Sequence, residues 1–119
     1  MIRSIAISLI LAVLVATCFA DESIIEYAGI QKAQNLAGVI RDGVEAPIPE
    51  VAVEEMSDDW TNVLQRTTTD KEGHWSLSVL PERRIHNIRF MKNAFHQLRF
   101  RVSLTHRAAK PLDFVLPVS

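Results

Sequence analysis

Four histidines are the side chains of this sequence best suited to metal binding or acid–base chemistry. They lie at positions 74, 86, 96 and 106. A metal site needs two to four ligands that converge on one point. The sequence has no His-x-His pair and a single cysteine, Cys18, and we expect no acid beside a histidine at ligand spacing. The histidines therefore predict no metal site.

Carboxylates at Asp70 and Glu72 raise the question of calcium binding. A dedicated calcium loop supplies oxygen ligands at alternating positions, whereas this segment reads Asp70-Lys71-Glu72-Gly73, with a lysine in its middle. An aspartate side chain accepts backbone N–H bonds in turns, and glycine adopts the left-handed conformation that other residues resist. Turn geometry accounts for Asp70 and Gly73 as structural residues, so we predict no cofactor.

Hydrolytic catalysis requires a nucleophile held against a base, or a paired acid and base. The sequence contains no Gly-x-Ser-x-Gly and no His-Glu-x-x-His motif, and its only cysteine is Cys18. Because these motif classes are absent, we predict that the protein is not an enzyme.

The charges are unevenly distributed along the chain. Ten acids and two basic residues lie between Asp21 and Asp59, whereas eight basic residues and no acid lie between Arg83 and Lys110. Strand parity would direct four of these cations outward together, namely Arg89, Lys92, Arg99 and Arg101. They would form a basic face for phosphate, lipid headgroups or an acidic polysaccharide. The alternative is cross-strand pairing with acids of earlier strands, such as Glu54 and Asp42.

Trp60 is the one large aromatic residue in a predicted polar loop. Its ring is suited to stacking on a sugar or to anchoring a partner, and the alternative is that it caps the open end of a sandwich. Nucleic acid is not predicted as a partner, because the formal net charge is only −1 and the N-terminus predicts export.

The elements that must position these side chains begin with a hairpin between Thr67 and Pro81. Three consecutive threonines precede the turn at Asp70 and Gly73, and alternating apolar residues follow it. Similar signals recur every eight to twelve residues, the spacing of a β-sandwich. The seven predicted strands are Leu36 to Arg41, Val51 to Met56, Leu64 to Thr69, His74 to Leu80, Ile85 to Met91, Leu98 to Leu104 and Leu112 to Leu116.

Three segments carry a resemblance to a known family: Gly38 to Asp42, Pro47 to Val53, and Thr69 to Leu77. Together they resemble the carboxypeptidase regulatory-like domain family, over residues 36 to about 116. The resemblance implies an all-β fold, a seven-stranded antiparallel Greek-key β-sandwich of the transthyretin-like, or prealbumin-like, kind. It also implies a non-catalytic accessory module of exported proteins. Glu50 and Trp75 depart from the pattern, since family members carry Gly and Phe there.

A hydrolase branch of the transthyretin-like fold, 5-hydroxyisourate hydrolase, ends in Tyr-Arg-Gly-Ser, whereas the last four residues here are Leu-Pro-Val-Ser. Only the serine matches, so the resemblance does not carry that activity over, and a transthyretin-like hydrolase is a remote alternative.

The N-terminal residues have the layout of a secretory signal peptide. Arg3 precedes an apolar run, and small residues at Cys18 and Ala20 lie just before the acidic Asp21, which predicts cleavage after residue 20. An N-terminal membrane anchor and a lipoprotein attached through Cys18 are the alternatives. Residues 21–35 are predicted to be a leader, linker or short helix, and residues 36–119 the β-sandwich domain.

The sequence therefore predicts a bacterial protein that is secreted or periplasmic, without cofactor and without a transmembrane segment after cleavage. Its expected role is binding or structural, with an unidentified protein or an anionic glycan or lipid surface as partner. Self-association as a homo-oligomeric scaffold is the alternative, because the two halves carry opposite charge and a sandwich has open edges.

Overall fold

A computed structural model describes residues 24–107 and 111–119, and these residues contain eight β-strands and no helix. The strands are β1 (Ile24–Ala33), β2 (Ala37–Arg41), β3 (Ala52–Met56), β4 (Val63–Thr68), β5 (His74–Ser76), β6 (His86–Met91), β7 (Gln97–Leu104) and β8 (Phe114–Val115). They form a five-stranded sheet in the order β1-β7-β6-β3-β4 and a three-stranded sheet in the order β5-β2-β8. The prediction of an all-β protein is confirmed.

The two sheets pack through an aromatic core. Phe90 of β6 meets Trp75 of β5 and Phe114 of β8 edge to face, at centroid distances of 5.4 and 5.6 Å, and meets Phe100 of β7 at 5.1 Å. Such pairs stabilise a core beyond the burial of their area. The predicted parity of β7 is also confirmed, since Leu98, Phe100 and Val102 are buried. Arg99 and Arg101 consequently lie on the outer face of the large sheet.

The strand count and the pairing differ from the prediction. Eight strands are present in the described residues instead of seven, and two pairings, β1 with β7 and β2 with β8, are parallel instead of antiparallel. Six of the predicted strands have bounds within two residues of those observed, whereas β5 ends at Ser76 and not at Leu80.

The additional strand is β1, which occupies most of the segment predicted to be a leader, linker or short helix. Its register against β7 shifts between Glu26 and Ile30, and Gly29 in this bulge has a φ of 76°. A bulge breaks the alternation of buried and exposed side chains. The apolar residues of β1 are therefore irregularly spaced, and regular alternation could not predict this strand.

The turn between β4 and β5 is built by Asp70 and Gly73. Asp70 Oδ1 accepts hydrogen bonds from the backbone N–H groups of His74 (3.0 Å) and Glu72 (2.9 Å), and these two bonds lower the pKa of Asp70. Gly73 has a φ of 77°, in the region that favours glycine. A Cβ at this position would also overlap the backbone oxygen of Ile40.

The predicted signal peptide over residues 1–20, with Cys18 and the cleavage site, lies outside the described residues. Within residues 24–107 and 111–119, no helix is long and apolar enough to cross a membrane.

Candidate functional site

A row of five charged residues crosses the outer face of the five-stranded sheet, one from each strand. In spatial order these are Glu26, Arg99, Arg89, Glu54 and Arg66, and each is the register partner of the next. We call this the charged row. Directly opposed side chains in a sheet lie close enough to interact. The contacts within the row therefore determine which of its cations are neutralised.

Glu54 neutralises one end of the charged row. Its Oε1 accepts hydrogen bonds from Arg89 Nε at 3.0 Å and from the Arg89 terminal nitrogen at 2.5 Å, and its Oε2 lies 3.3 Å from Arg66 Nε. Elsewhere, Lys92 Nζ donates to the backbone oxygen of Pro49 at 2.7 Å. Cross-strand pairing, the alternative to a basic face, therefore holds for Arg89, and Lys92 is also engaged with the protein.

Arg99 lies beside Glu26 at the other end of the row, but the two side chains form no ion pair. Arg99 is partly buried, and its Nε is shielded from solvent with no hydrogen-bond partner among the described residues. Arg101, two positions along the same face, is exposed. Within the described part of the chain, neither arginine forms an ion pair with an acid. Of the four cations predicted to form a basic face, Arg89 pairs with an acid and Lys92 donates to a backbone oxygen, whereas Arg99 and Arg101 form neither contact within the described residues.

Trp60 lies against Arg99, with the guanidinium carbon 4.9 Å from the ring centroid. The contact is a cation–π interaction. Trp60 is only partly buried and does not belong to the buried core. The structure therefore brings Trp60 together with Arg99, which it contacts, and with Arg101, which lines the same groove.

The turn over residues 57–62 holds Trp60 in place. The backbone N–H of Trp60 donates to the Ser57 backbone oxygen at 2.9 Å, and Trp60 has a φ of 63°. Asp59 Oδ1 accepts hydrogen bonds from the hydroxyls of Thr61 (2.6 Å) and Ser57 (2.7 Å). These bonds, led by that of Thr61, lower the pKa of Asp59 from 3.8 to about 2.

We expect Thr61→Val to raise the pKa of Asp59 from about 2 toward its ordinary value of 3.8, because the largest stabilising bond to the carboxylate is lost. Since folding lowers this pKa, ionised Asp59 stabilises the protein above pH 3.8, and the contribution is lost as the pH falls through about 2. NMR titration of the Asp59 carboxyl carbon measures the shift. Thr61→Ser keeps the hydroxyl and is the matched control; equal midpoints in the two variants would contradict the prediction.

The bulge in β1 opens a groove beside Trp60, with a volume of about 330 Å³. A second groove, of about 440 Å³, continues on the other side of Arg101. The first is lined by Glu26, Tyr27, Ala28, Gly29, Ile30, Trp60, Phe100 and Arg101, and the second by Ile30, Asp58, Glu82, Arg83, Arg84, Ile85, Asn87 and Arg101. Sequence reasoning did not predict that Tyr27 lines the groove beside Trp60. The only signal for it was the broken alternation of apolar residues in β1.

Another groove, of about 510 Å³, lies on the three-stranded sheet. Its ionisable lining residues are His74 and Asp113, and it has no lysine or arginine. It lacks the unneutralised cations that mark the grooves beside Arg101, so we place the candidate site on the large sheet.

The histidines do not converge on one point, but His74 corrects the expectation that no acid lies beside a histidine. Its Nδ1 is 3.8 Å from Asp70 Oδ2 and 3.6 Å from Glu72 Oε2, and the potential ligand atoms of the three side chains lie within 4.8 Å of one another. All three residues are exposed. His86 instead lies in the interior, with Nδ1 2.7 Å from Glu55 Oε2.

No family model matches the chain, and no curated protein matches it.

Proposed function

We propose that the chain is an exported, non-catalytic binding module that holds an anionic ligand on the outer face of its large sheet. We further propose that it is a transthyretin-like member of the carboxypeptidase regulatory-like family. The family proposal is supported by the three segments that resemble that family, and export by the composition of residues 1–20. The ligand proposal is supported by the charged row.

The observation that carries the proposal is that Arg99 lacks an ion pair within the described residues. A partly buried cation without an ion pair is costly. Arg89 is bonded to Glu54, whereas Arg99 forms no ion pair within the described residues, although Glu26 is its register partner. An anion beside Arg99 and Arg101 would accept charge-assisted hydrogen bonds, which are stronger than neutral ones, from their terminal guanidinium nitrogens and not from the shielded Arg99 Nε. Trp60 shields this position from water on one side.

The acid–imidazole pair of the interior supports binding over catalysis. Glu55 and His86 are 2.7 Å apart, a distance suited to proton transfer. However, their exposed fractions are 0% and 1%, so a substrate has no access to them. The side chains that the proposal assigns to the ligand, Arg99, Arg101 and Trp60, are instead partly or fully exposed.

We expect the protein to bind a heparin-derived oligosaccharide or phosphatidylglycerol vesicles at 150 mM salt. Arg99→Gln or Arg101→Gln should weaken this binding about tenfold, because a charge-assisted hydrogen bond is lost. Equilibrium titration measures the change. Lys71→Gln is the matched control, since it removes one positive charge from the exposed turn between β4 and β5 and should bind like the parent.

Glu26→Gln provides a test of opposite sign. Glu26 lines the groove beside Trp60, so removing its charge should strengthen the binding of an anion. Absence of binding by the parent protein to both probes, or equal weakening by Lys71→Gln and Arg101→Gln, would overturn the proposed site.

Self-association is the second candidate function, and the edge strand β4 favours it. β4 has no neighbour on one side in the large sheet, and Val63 and Leu64 are 48% and 40% exposed. An unprotected apolar edge is a template for pairing with another chain. Sedimentation that shows a monomer at both low and high salt would exclude this function.

A further inference from the structure

We infer that the outer face of the large sheet carries a second binding site, for a small organic acid with an apolar body and one carboxylate. The site is a groove of about 420 Å³ that extends from Arg66 across β3 and β6 to Gln97, within the size range of small-molecule pockets. None of its lining residues lines the grooves beside Trp60. The second site therefore lies beyond the proposed function and is built from different residues.

Strand alternation explains the position and the apolar part of the groove. Ala52 of β3 and Met91 of β6 are register partners. Each lies two residues from a member of the charged row, Glu54 or Arg89, so both belong to the outer face. Ala52 has only a methyl group, which leaves space above the sheet, and the partly buried Met91 and Phe95 border that space. These three side chains suit an aromatic or hydrocarbon body.

The charge around the groove favours an anion. Two cations, Arg66 and Lys92, line it, and its described lining residues include no acid. Lys92 Nζ donates to the Pro49 backbone oxygen at 2.7 Å, and a carbonyl does not compensate its charge. Arg66 Nε lies 3.3 Å from Glu54 Oε2, but the same carboxylate also pairs with Arg89. Three cations thus share one carboxylate, which leaves a net charge of +2 at this end of the sheet.

Hydrogen-bond donors remain available on both cations. A guanidinium has five N–H donors and an ammonium three, whereas the described contacts use only Nε of Arg66 and one N–H of Lys92. The Arg66 side chain is 60% exposed, so a ligand in the groove can reach it, and Asn93 adds an amide donor to the lining. Charge-assisted bonds to a carboxylate are stronger than neutral ones. An inorganic anion would leave the apolar side chains of the groove uncovered, so the lining favours an organic acid.

A matched pair of probes tests the site. We expect hydrocinnamate to bind with a Kd of about 1 mM or tighter. Hydrocinnamamide, which has the same apolar body without the charge, should bind at least about fivefold more weakly, because the charge-assisted bonds are lost. NMR titration of the folded protein measures both affinities, and shifts at the backbone amides of Ala52, Met91 and Asn93 locate the ligand.

Substitutions separate the two parts of the groove. Lys92→Gln should weaken hydrocinnamate about threefold to fivefold and leave the amide unchanged, whereas Ala52→Leu should fill the groove and weaken both probes. Lys71→Gln removes a positive charge from the turn between β4 and β5 and is the charge-matched control. Arg101→Gln should also bind like the parent, because Arg101 does not line this groove.

The outcomes distinguish the second site from the site at Arg99 and Arg101. Absence of hydrocinnamate binding by the parent, equal affinities for the two probes, or no effect of Lys92→Gln would overturn the second site. Binding that Arg101→Gln weakens and Lys92→Gln does not would place the acid at the site of the proposed function instead. The oligosaccharide and vesicle titrations test the proposed function independently, so either site can fail without the other.

Discussion

Gly38→Ala should lower the free energy of unfolding by about 3 kcal/mol, at the upper end of the usual cost of overpacking. A Cβ on Gly38 would overlap the backbone oxygen of Leu112 and lie 2.5 Å from its carbonyl carbon. Backbone atoms cannot move aside as a flexible side chain does. The methyl group therefore has to separate β2 from the segment that leads into β8, its parallel neighbour in the three-stranded sheet.

Thermal unfolding checks this prediction. A loss of about 3 kcal/mol in a domain of this size lowers the Tm by about 12 to 24 °C. Gly43→Ala is the matched control, because a Cβ there meets nothing within 4 Å; we expect a Tm equal to that of the parent or slightly higher, since alanine restricts the unfolded chain. Similar Tm values for the two variants would contradict the close approach of β2 and residue 112.

The two glycines show what the sequence reveals about this fold. Gly73 follows Asp70 in a turn pattern, so local chemistry suffices to predict its left-handed conformation. The requirement at Gly38 arises from Leu112, which is distant in the chain, and no local pattern encodes it. The same reason explains why alternation predicted the buried face of β7 but not the parallel pairing of β1, which depends on a partner more than seventy residues away.

The candidate site was predictable to a similar degree. Strand parity placed Arg99 and Arg101 on one outer face, and loop polarity placed Trp60 outside the core. Whether each cation is neutralised depends on register and on side-chain contact across the sheet. Glu54 contacts its register partner Arg89, whereas Arg99 and its register partner Glu26 form no ion pair. Register across distant strands cannot be derived from charge counts along the chain.

Glu55 is the side chain whose loss should destabilise the protein most through its polar contacts. Its carboxylate is fully buried. Gln65 Nε2 donates to Oε1 at 2.8 Å, His86 Nδ1 lies 2.7 Å from Oε2, and Arg83 Nε lies 3.2 Å from Oε2 as an ion pair. Because Arg83 belongs to the loop before β6, one carboxylate joins that loop to three strands of the large sheet.

Glu55→Gln should lower the free energy of unfolding by about 3 to 5 kcal/mol, the usual cost of removing one partner from a buried ion pair. A glutamine amide has one acceptor and one donor group. If its oxygen faces His86 and Arg83, its NH₂ group opposes the NH₂ of Gln65. Urea denaturation measures the loss, and Glu72→Gln is the control, because that side chain is 78% exposed and should change stability by less than about 0.5 kcal/mol.

Exchange of the two side chains tests the directional part of this account. In Glu55→Gln with Gln65→Glu, the amide at position 55 can donate to the carboxylate at position 65 while its oxygen accepts from His86 and approaches Arg83. The carboxylate also comes to face the Ser78 backbone oxygen, to which Gln65 donates in the parent at 2.5 Å, so rescue is incomplete. We expect the double variant to recover at least about 1 kcal/mol relative to Glu55→Gln alone, a coupling typical of residues in one network. If the double variant is less stable than the single one, the donors around Glu55 are not arranged as the distances indicate.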